Sequence, residues 1–532
     1  MRESGMYAKF SNETEVKRLQ EDVYKIREQT SVSPVDGTSF RVHLPSMDDF
    51  TLPPNAHWDS IEESLDKTGR LHLYSGRFLT LVPREHLYFE DWVASFFEWI
   101  HNTEHAYLKE KYVSWDHATA WRIEASWITL ARTTSSRASE AISMSLRADL
   151  TWAINPSHIR DNNHGLFLVS SLLFSIPHLD PHFLDLTEPM HETIRLRLQS
   201  ILGRVYTAEG WNAENSPLYD RVWINLLRDI LAGHEDALNR LGLTDFLKLL
   251  ISKASVVSRA QLYPDSRYVP RGDTHSRHTG LEPLTGTHFS IEAGIWTYHH
   301  GGLYLMATAG HMMSTHKHVD DTQVIAHWRG VDFFIDGGFY SFTFDDPRVL
   351  ALRSNFGHSA LDLDPPETVT PHMAYIFNTA PIISTMDAAS ESSVTMKKSF
   401  RDHLLERTIS VSASSCRLDY HDRLKRDTSV SDSSHNEQRM VSRFLIPKDL
   451  DVLVRRGRAE IWNPSARAIL SLETPGEISL TQAEHVFPYR GWYPTAYKEM
   501  HEGCVLEIRP QTTGESELKY KVEFSSKETD SD

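Results

Sequence analysis

The chain has few cysteines and no long apolar run. Its 532 residues include 2 cysteines, Cys416 and Cys504, so a network of disulfide bonds cannot be what stabilises the fold. No stretch reaches the roughly 18 apolar residues of a membrane span, and the first 20 residues contain no apolar segment typical of a secretory signal. We therefore expect a cytoplasmic protein without membrane association, or a periplasmic or secreted one if a leader has been removed.

The sequence contains fewer basic than acidic residues. Lysine and arginine number 55 against 72 aspartates and glutamates, which gives a net charge of −17. General nucleic-acid binding needs a basic surface, so that class of protein is not expected. An anionic substrate stays compatible with this balance, because a local basic cleft can exist on an acidic protein. Histidine is abundant, with 29 residues, and its clusters are the natural place to search for chemistry.

The periodicity of apolar residues changes along the chain. Helical spacing predicts amphipathic helices, paired in a toroid or solenoid or arranged in an irregular bundle, before residue 261. A period of two predicts antiparallel sheets packed as a sandwich in the last part, with a hairpin turn at Gly330. The predicted helices cover 90–100, 119–131, 164–176, 193–206, 219–233 and 236–254. The predicted regions are an extension (1–54), a helical domain (55–261), a linker (262–285) and a sandwich (286–532).

The richest cluster of chemical groups is HKHVDD at 316–321. On a strand, His316 and His318 would share one face. A hairpin centred near Gly330 would bring Asp336 back toward them, and His358 follows downstream. Two histidines, an aspartate and a third histidine suit zinc or a similar divalent cation. The alternative is a polar strand whose histidines face solvent.

Three further segments carry candidate groups. In DNNHG, Asn163 and His164 could clamp an anion at a helix start, unless an asparagine serves only as the helix cap. In ENSPLYD, Tyr219 follows a Ser-Pro helix start and could act as general base or acid, unless it simply packs. In WDHATAWR, Trp115, Trp121 and Arg122 could bind a sugar and its carboxylate, or belong to the core.

The ordered set of segments resembles the heparinase II/III-like polysaccharide lyases, including their alginate- and heparan-degrading branches. The resemblance covers roughly residues 115–360 and rests on WDHATAWR, NNHG, ENSPLY, PDS…GDT, HKHVDD, FFIDGG and RSNFGHSAL. It implies an α+β multidomain protein, with an N-terminal (α/α) toroid followed by a C-terminal antiparallel β-sandwich. It also implies β-elimination at a uronic acid, in which a base removes the C5 proton and the C4–O bond breaks.

The resemblance also implies a role for each candidate residue. The implied catalytic residues are Asn163, His164, Tyr219 and His316. The implied substrate-binding residues are Trp115, His117, Arg122 and Tyr340. The implied metal ligands are His318, Asp336 and His358, for a divalent ion such as zinc that is more structural than catalytic. No organic cofactor is implied, the partner is an anionic uronic-acid glycan, and a homodimer is left open.

The sequence departs from this family where a histidine often follows the catalytic tyrosine, since Asp220 stands there. That change bears on substrate preference more than on reaction class. Two other functions stay open at this point. The first is a metal-dependent hydrolase or oxygenase using the His/Asp set, and the second is a carbohydrate-binding protein of the same fold without activity.

Overall fold

The computed structural model describes residues 31–44, 49–65, 67–107, 115–179, 181, 183–364, 382–400, 403–426 and 438–526. The chain divides into two compact units. The first unit is Met1–Arg204 with Leu226–Lys248, and the second unit is Val205–Asn225 with Leu249–Asp532. The domain boundaries expected from the sequence stay predictions. Among the described residues, no helix is both long and apolar enough to cross a membrane.

The described residues form eleven α-helices, ten of which precede residue 258. They are α1 (Trp58–Glu63), α2 (Lys67–Tyr74), α3 (Phe89–Tyr107), α4 (Trp115–Leu130), α5 (Ser136–Ala153), α6 (Asn163–Ser175), α7 (Leu184–Val205), α8 (Pro217–Gly233), α9 (Glu235–Leu241), α10 (Thr244–Val257) and α11 (Pro347–Arg353). The predicted helix over 236–254 is two helices, because Gly242 takes a left-handed φ of 69° that ends α9.

A small antiparallel sheet precedes the helices of the first unit. Its strands are β1 (Ser31–Pro34), β2 (Phe40–His43) and β3 (Phe50–Leu52), in that order. Phe40 and Phe50 of this sheet belong to the same buried cluster as Phe78, Trp92 and Phe96. The sheet is therefore part of the hydrophobic core of the first unit rather than an appendage to it.

Among the described residues of the second unit, nineteen strands form the remaining sheets. They are β4 (Gly286–Ser290), β5 (Ile295–His300), β6 (Leu303–Thr308), β7 (Gln323–Trp328), β8 (Val331–Phe334), β9 (Leu361–Asp364), β10 (Ile382–Ala389), β11 (Ser393–Phe400), β12 (His403–Ser412), β13 (Arg417–Arg426), β14 (Arg439–Ile446), β15 (Asp451–Arg455), β16 (Arg458–Trp462), β17 (Ala466–Leu472), β18 (Gly476–Gln482), β19 (Trp492–Ala496), β20 (Glu499–Glu502), β21 (Cys504–Pro510) and β22 (Ser516–Ser526).

These strands pair in four antiparallel sheets. Their orders are β4-β5-β6-β7-β8, β10-β11-β12-β13-β22-β17-β16-β15, β18-β21-β14-β9 and β19-β20. One buried cluster draws on the three larger sheets and includes Phe334, Tyr420 and Phe444. Apolar side chains on alternate strand positions thus face a shared interior, as in packed sheets. The α+β multidomain architecture, with helices first and antiparallel sheets after them, is confirmed.

The predicted turn at Gly330 is also confirmed. Trp328 pairs with Val331 across the β7–β8 hairpin, and the two loop residues take left-handed conformations, with φ of 47° at Arg329 and 86° at Gly330. Both loop residues therefore have the positive φ that a type I′ turn requires, and this turn matches the twist of the flanking strands.

The strand predicted for HKHVDD is wrong. Residues 316–321 lie in the loop between β6 and β7, and His316 has a left-handed φ of 57°. The loop buries Lys317 and Asp321, whose charged groups lie 3.1 Å apart. Consecutive polar residues are therefore paired inside the protein by their side chains, which an alternating strand would not allow.

Candidate active site

The start of α8 positions Tyr219. Ser216 precedes the helix, and its Oγ accepts a hydrogen bond from the backbone N–H of Tyr219 at 3.3 Å, while Pro217 occupies the first helical position. The Ser216 Oγ also donates to the backbone carbonyl of Asp273 at 3.1 Å. The helix cap thus ties the ENSPLYD segment to the GDT segment, and Tyr219 projects from the first turn.

Tyr219 stacks on His316. The centroids of the two rings are 3.6 Å apart and the rings are inclined by 21°. The Nδ1 atom of His316 lies 2.8 Å from Oδ2 of Asp273. Because a carboxylate only accepts hydrogen bonds, the proton of a neutral His316 sits on Nδ1 and Nε2 keeps its lone pair. The imidazole is therefore arranged as a base beside a phenol.

Asp273 is the hub of this cluster. Its Oδ1 atom accepts a hydrogen bond from Nε2 of His318 at 2.9 Å and another from Nη1 of Arg353. Burial acts to raise the pKa of Asp273, but the hydrogen bonds from His316 and His318 and the charge of Arg353 outweigh it and hold that pKa well below its usual range. The carboxylate is accordingly ionised and orients two imidazoles at once.

Glu214 lies on the other side of His316. Its Oε2 atom is 3.9 Å from Nε2 of His316, and its side chain is 3% exposed. Burial raises the pKa of Glu214 against the influence of His316. Burial, with the negative charges of Asp273 and Glu214, also raises the pKa of Tyr219 to about 12. Tyr219 is therefore a neutral phenol at ordinary pH and is suited to donating a proton.

Close backbone packing holds three segments of this site together. Gly272 has a φ of 54°, and a β-carbon there would lie 2.3 Å from the carbonyl oxygen of Asn215 and 2.7 Å from that of His316. Asn215, with a φ of 58°, donates from Nδ2 to the carbonyl of Met313 at 2.6 Å. The glycine is thus required, and its contacts fix the spacing between Tyr219 and His316.

The three predicted metal ligands come together. One ligand atom from each of His318, Asp336 and His358 lies within 4.8 Å of the others, and all three residues are buried. Among the described residues, Nδ1 of His318 and Nε2 of His358 have no hydrogen-bond partner. Nε2 of His318 is held by Asp273, as the outer nitrogen of a metal-ligating histidine usually is. These residues fit a divalent cation such as zinc.

The predicted groups of the DNNHG segment lie in the first unit, at the start of α6. Asn162 is the helix cap, and its Oδ1 accepts from the N–H of Gly165 at 3.2 Å. Asn163 is thereby not needed as the cap, and its Oδ1 accepts from the N–H of His164 at 3.1 Å. Nδ1 of His164 is 3.4 Å from Oδ1 of the buried Asp116. Among the described residues this nitrogen has no hydrogen-bond partner, so the Asp116 carboxylate lies near the imidazole without a hydrogen bond that would orient it.

His117 and Trp121 belong to an aromatic cluster of the first unit. The ring centroid of His117 lies 3.9 Å from that of Trp121 and 4.7 Å from that of Phe167. The guanidinium carbon of Arg77 lies 4.0 Å above the Trp121 ring. Burial, with the charges of His164 and Arg77, lowers the pKa of His117 to about 3. His117 is therefore a neutral, partly buried ring in this cluster.

Two other residues predicted to bind substrate make structural contacts inside the protein instead. Arg122 is fully buried and holds Asp149 with two bonds, Nε to Oδ2 at 2.9 Å and Nη2 to Oδ1 at 2.7 Å. This arrangement matches the alternative of a core arginine. Tyr340 is also buried and clusters with Val349 and Leu352. The side chain of Trp115, the first residue of α4, lies outside the described residues.

Three residues of the site were not assigned from the sequence. The sequence predicts no role for Asp273, Arg353 or Glu214. The GDT motif at 272–274 was the available signal, because an aspartate after a glycine in a polar segment is a candidate partner for a nearby histidine. Its partners His316 and His318 are 43 and 45 residues away along the chain, so only the folded structure shows the contact.

Comparison with known proteins shows the fold. No protein-family model and no curated protein matches the sequence. Heparan sulfate lyase HepC from Pedobacter heparinus superposes with a TM-score of 0.62 at 14% identity, over 98% of this chain and 85% of that chain. The chain has the heparinase III-like fold.

Two further solved structures share the heparinase III-like fold. A heparinase III with methylated lysines matches with a TM-score of 0.61 at 13% identity, over 88% of this chain and 79% of that chain. Another heparinase III gives a TM-score of 0.59 at 12% identity, over 82% of this chain and 73% of that one. At such identities the likeness concerns the fold, so activity has to be argued from the side chains of this chain.

Proposed function

We propose that the protein is a lyase that cleaves uronic-acid-containing glycans by β-elimination. The observation that carries the proposal is the stack of Tyr219 on His316, with Asp273 behind the imidazole. A neutral phenol and an oriented imidazole are the two proton-transfer groups that such a reaction needs. The heparinase III-like fold agrees with this reading.

In the proposed reaction, Nε2 of His316 is the base. It removes the proton from C5 of the uronic acid, and the electron pair left at C5 is delocalised into the neighbouring carboxyl group. Asp273 stabilises the imidazolium that forms, because its carboxylate already holds the Nδ1 proton at 2.8 Å. The role implied for Asn163 and His164 of the first unit, in neutralising the uronate carboxylate or transferring a proton, stays a prediction.

Tyr219 is the proposed acid. As the C4–O bond breaks, its electron pair goes to the leaving oxygen, which takes the phenolic proton, and the pair at C5 forms the C4–C5 double bond. The N–H bonds of the stacked imidazolium lie in its ring plane and do not point at the phenolate, so Tyr219 regains a proton from water and His316 releases the C5 proton to water. The enzyme is thereby restored, and the net change is transfer of one proton from C5 to the leaving oxygen.

The metal site is proposed to be structural. His318, Asp336 and His358 would hold the ion, which would supply cross-linking of the loops that carry these residues. All three are buried, whereas a catalytic ion needs an open coordination position. A metal-dependent hydrolase is therefore the less favoured reading of this site.

The test is a panel of uronic-acid polymers and oligomers: alginate, heparan, hyaluronan, chondroitin and glucuronan. A lyase produces a 4,5-unsaturated uronide, seen as a gain in ultraviolet absorbance, whereas a hydrolase gives new reducing ends without that gain. We expect the gain on at least one member and its loss in the Tyr219→Phe variant. Reducing ends without the absorbance gain would contradict the proposal, and so would a protein that binds a member of the panel without cleaving it.

A further inference from the structure

Large aromatic side chains are exposed on one surface of the second unit. Phe342 is 47% exposed and Tyr497 is 53% exposed. Both contact the buried ring of Phe339, at centroid distances of 4.5 Å and 6.2 Å. We call Phe339, Phe342 and Tyr497 the aromatic platform. Contiguous exposed apolar side chains often mark a binding surface.

The aromatic platform is connected to the candidate active site. The N–H of Phe339 donates to the carbonyl of Thr274 at 3.3 Å, and Thr274 is the residue after Asp273. The ring of His275 also lies 5.0 Å from that of Phe339. The GDT segment that carries the catalytic carboxylate therefore continues directly into the platform.

A second connection runs through Arg353. Its guanidinium carbon lies 5.3 Å from the ring centroid of Phe344, and its Nη1 donates to Asp273. Phe344 belongs to the same short segment as Phe339 and Phe342. Two independent contacts thus fix the distance between the proton-transfer groups and the platform.

The platform is also held rigidly in place. Tyr497 and Lys498 form the tip of the β19–β20 hairpin, where Lys498 has a φ of 60°. The N–H of Lys498 donates to the carbonyl of Tyr340 at 2.9 Å, and Met500 of β20 packs against the cluster around Tyr340. The hairpin tip therefore cannot move away from the 339–344 segment without breaking these contacts.

Lys498 places a positive charge at the edge of the platform, where the nearby carboxylate of Asp346 is already paired with Arg348. Nζ of Lys498 lies 5.5 Å from the centroid of the neighbouring Tyr497 ring. An apolar ring face beside an ammonium group matches a sugar ring that carries a carboxylate or sulfate. A protein partner would need about 800 Å² on each side of an interface, which is far more than two exposed rings offer.

We propose that Phe342 and Tyr497 form a subsite for an outer sugar ring of an anionic glycan, with Lys498 facing the negative group of that ring. This inference rests on the proposed lyase function, since the platform would bind the same chain that His316 and Tyr219 cleave. It assigns a function to the side chains around Tyr340, whose own ring is buried. Tyr340 then supports the platform from beneath rather than touching the glycan.

The experiment uses the full-length protein and the double variant Phe342→Ala/Tyr497→Ala. We expect KM for the polymer cleaved best to rise about tenfold, with kcat changed less than about twofold, because two ring contacts are lost and the proton-transfer groups are untouched. The defect should shrink as the substrate is shortened, and it should disappear for a substrate too short to reach the platform. Lys498→Ala should raise KM less than the double variant does. Its effect on KM should be larger at low salt than at high salt, because salt screens the charge.

Phe289→Ala is the matched control, because Phe289 of β4 is an exposed phenylalanine of the same unit, at 37% exposure, and lies outside the platform. It should leave KM unchanged, and all variants should melt within a few degrees of the wild type, since exposed side chains contribute little to stability. A double variant with wild-type KM on long substrates would overturn the inference while the lyase proposal stood.

Direct binding separates the two proposals. If the wild type cleaves no member of the panel, the lyase proposal fails, and the platform is then tested by affinity electrophoresis in gels containing each polymer. Retardation of the wild type that is lost in the double variant supports the subsite. Equal retardation of both proteins, or retardation of neither, overturns it.

Discussion

The phenol of Tyr219 and the imidazole of His316 lie face to face, with ring centroids 3.6 Å apart. Tyr219 comes from the first turn of α8 and His316 from a loop between β6 and β7, so the contact joins parts of the chain about 100 residues apart. Asp273 accepts the hydrogen bond from Nδ1 of the imidazole, which leaves Nε2 as the proton acceptor. The two rings therefore have different roles in proton transfer. The phenol can donate, and the free nitrogen of the imidazole can accept.

Replacing Tyr219 by phenylalanine tests the acid directly. We expect kcat to fall about 10²- to 10⁴-fold, the usual contribution of a positioned acid or base, with KM nearly unchanged because the stacked ring remains. Steady-state kinetics by ultraviolet absorbance would measure both. Tyr298→Phe, at a buried tyrosine of β5, is the control for loss of a hydroxyl and should retain full activity. A Tyr219→Phe enzyme with normal kcat would remove Tyr219 from the mechanism.

The pH dependence of kcat/KM distinguishes an acid from a base at Tyr219. Burial and the nearby carboxylates raise its pKa to about 12, so the phenol stays protonated across the neutral and mildly alkaline range. If Tyr219 is the acid, its titration leaves kcat/KM flat between about pH 8 and pH 10. If it were the base, only the small phenolate fraction would react, and the rate would climb about tenfold per pH unit over that range. Such a climb would reverse the proposed roles.

Local patterns in the sequence were sufficient for several elements. The helices that carry Asn163 and Tyr219 follow from apolar periodicity and from their caps, and the β7–β8 hairpin follows from Gly330 between two strands. Helix α5 was not predicted, because alanine and serine make up five of its nine buried residues, which leaves few large apolar side chains to mark the buried face in the sequence. Propensity at such a helix matters less than packing against its neighbours.

Long-range contacts account for what sequence reasoning missed in the site. Asp273 accepts a hydrogen bond from Arg353, which lies 80 residues further along the chain. The periodicity of apolar residues along the sequence does not predict such a long-range pair. The ligand atoms of His318, Asp336 and His358, which the sequence predicts to lie together, are within 4.8 Å of one another, although the assumed strand at His318 is a loop; that they hold a metal stays a prediction. The grouping holds because Asp336 returns on the β7–β8 hairpin, while Asp273 rather than strand geometry orients His316 and His318.

Asp273→Asn should lower both activity and stability. Removing one partner from a buried ionic cluster costs about 3–5 kcal/mol, and here Arg353 would lose its carboxylate. The pKa of Asp273 is lowered in the folded protein, so its stabilisation is complete above about pH 4 and is lost as the pH falls further. Urea unfolding should therefore show a gap between wild type and variant that is wide at neutral pH and narrow in acid.

The exposed ion pair of Asp419 with Arg417 provides the matched control for that experiment, since both side chains are nearly 40% exposed. Asp419→Asn should change stability by less than about 1 kcal/mol at any pH. A gap between the wild type and Asp273→Asn that stayed constant down to strong acid would show that the carboxylate charge of Asp273 is not what stabilises the cluster.

Arg122 should behave as a stabilising residue rather than a substrate-binding one. Arg122→Met leaves Asp149 buried without its partner and should lower the free energy of unfolding by about 3–5 kcal/mol. The double variant Arg122→Met/Asp149→Leu should recover part of that loss, because apolar residues of similar size replace both charges. Thermal melting gives the measurement. A variant with an unchanged melting temperature and a raised KM would restore the role predicted from the sequence.

Removal of a bound cation should reduce stability more than chemistry. We expect elemental analysis to find about one divalent ion per chain, and a chelator to lower the melting temperature while part of the activity survives, since a structural ion does not touch the reacting bond. The variants His318→Ala and His358→Ala should lose metal binding. The control variant His300→Ala, at an exposed histidine of β5, should still bind the ion. The proposed metal site would be contradicted if the protein contained no metal and its melting temperature changed with neither the chelator nor added zinc.

Acid should release the ion, because protons compete with it at His358. Burial acts to lower the pKa of His358, but the charge and hydrogen bond of Asp336 outweigh burial, so the net effect without the ion is a raised pKa. Metal binding must therefore displace a proton from this imidazole, and affinity falls as the pH drops. Added zinc should raise the melting temperature more at pH 8 than at pH 6. An equal effect at both values would mean that His358 is not a ligand, leaving His318 and Asp336 to hold the cation with other donors.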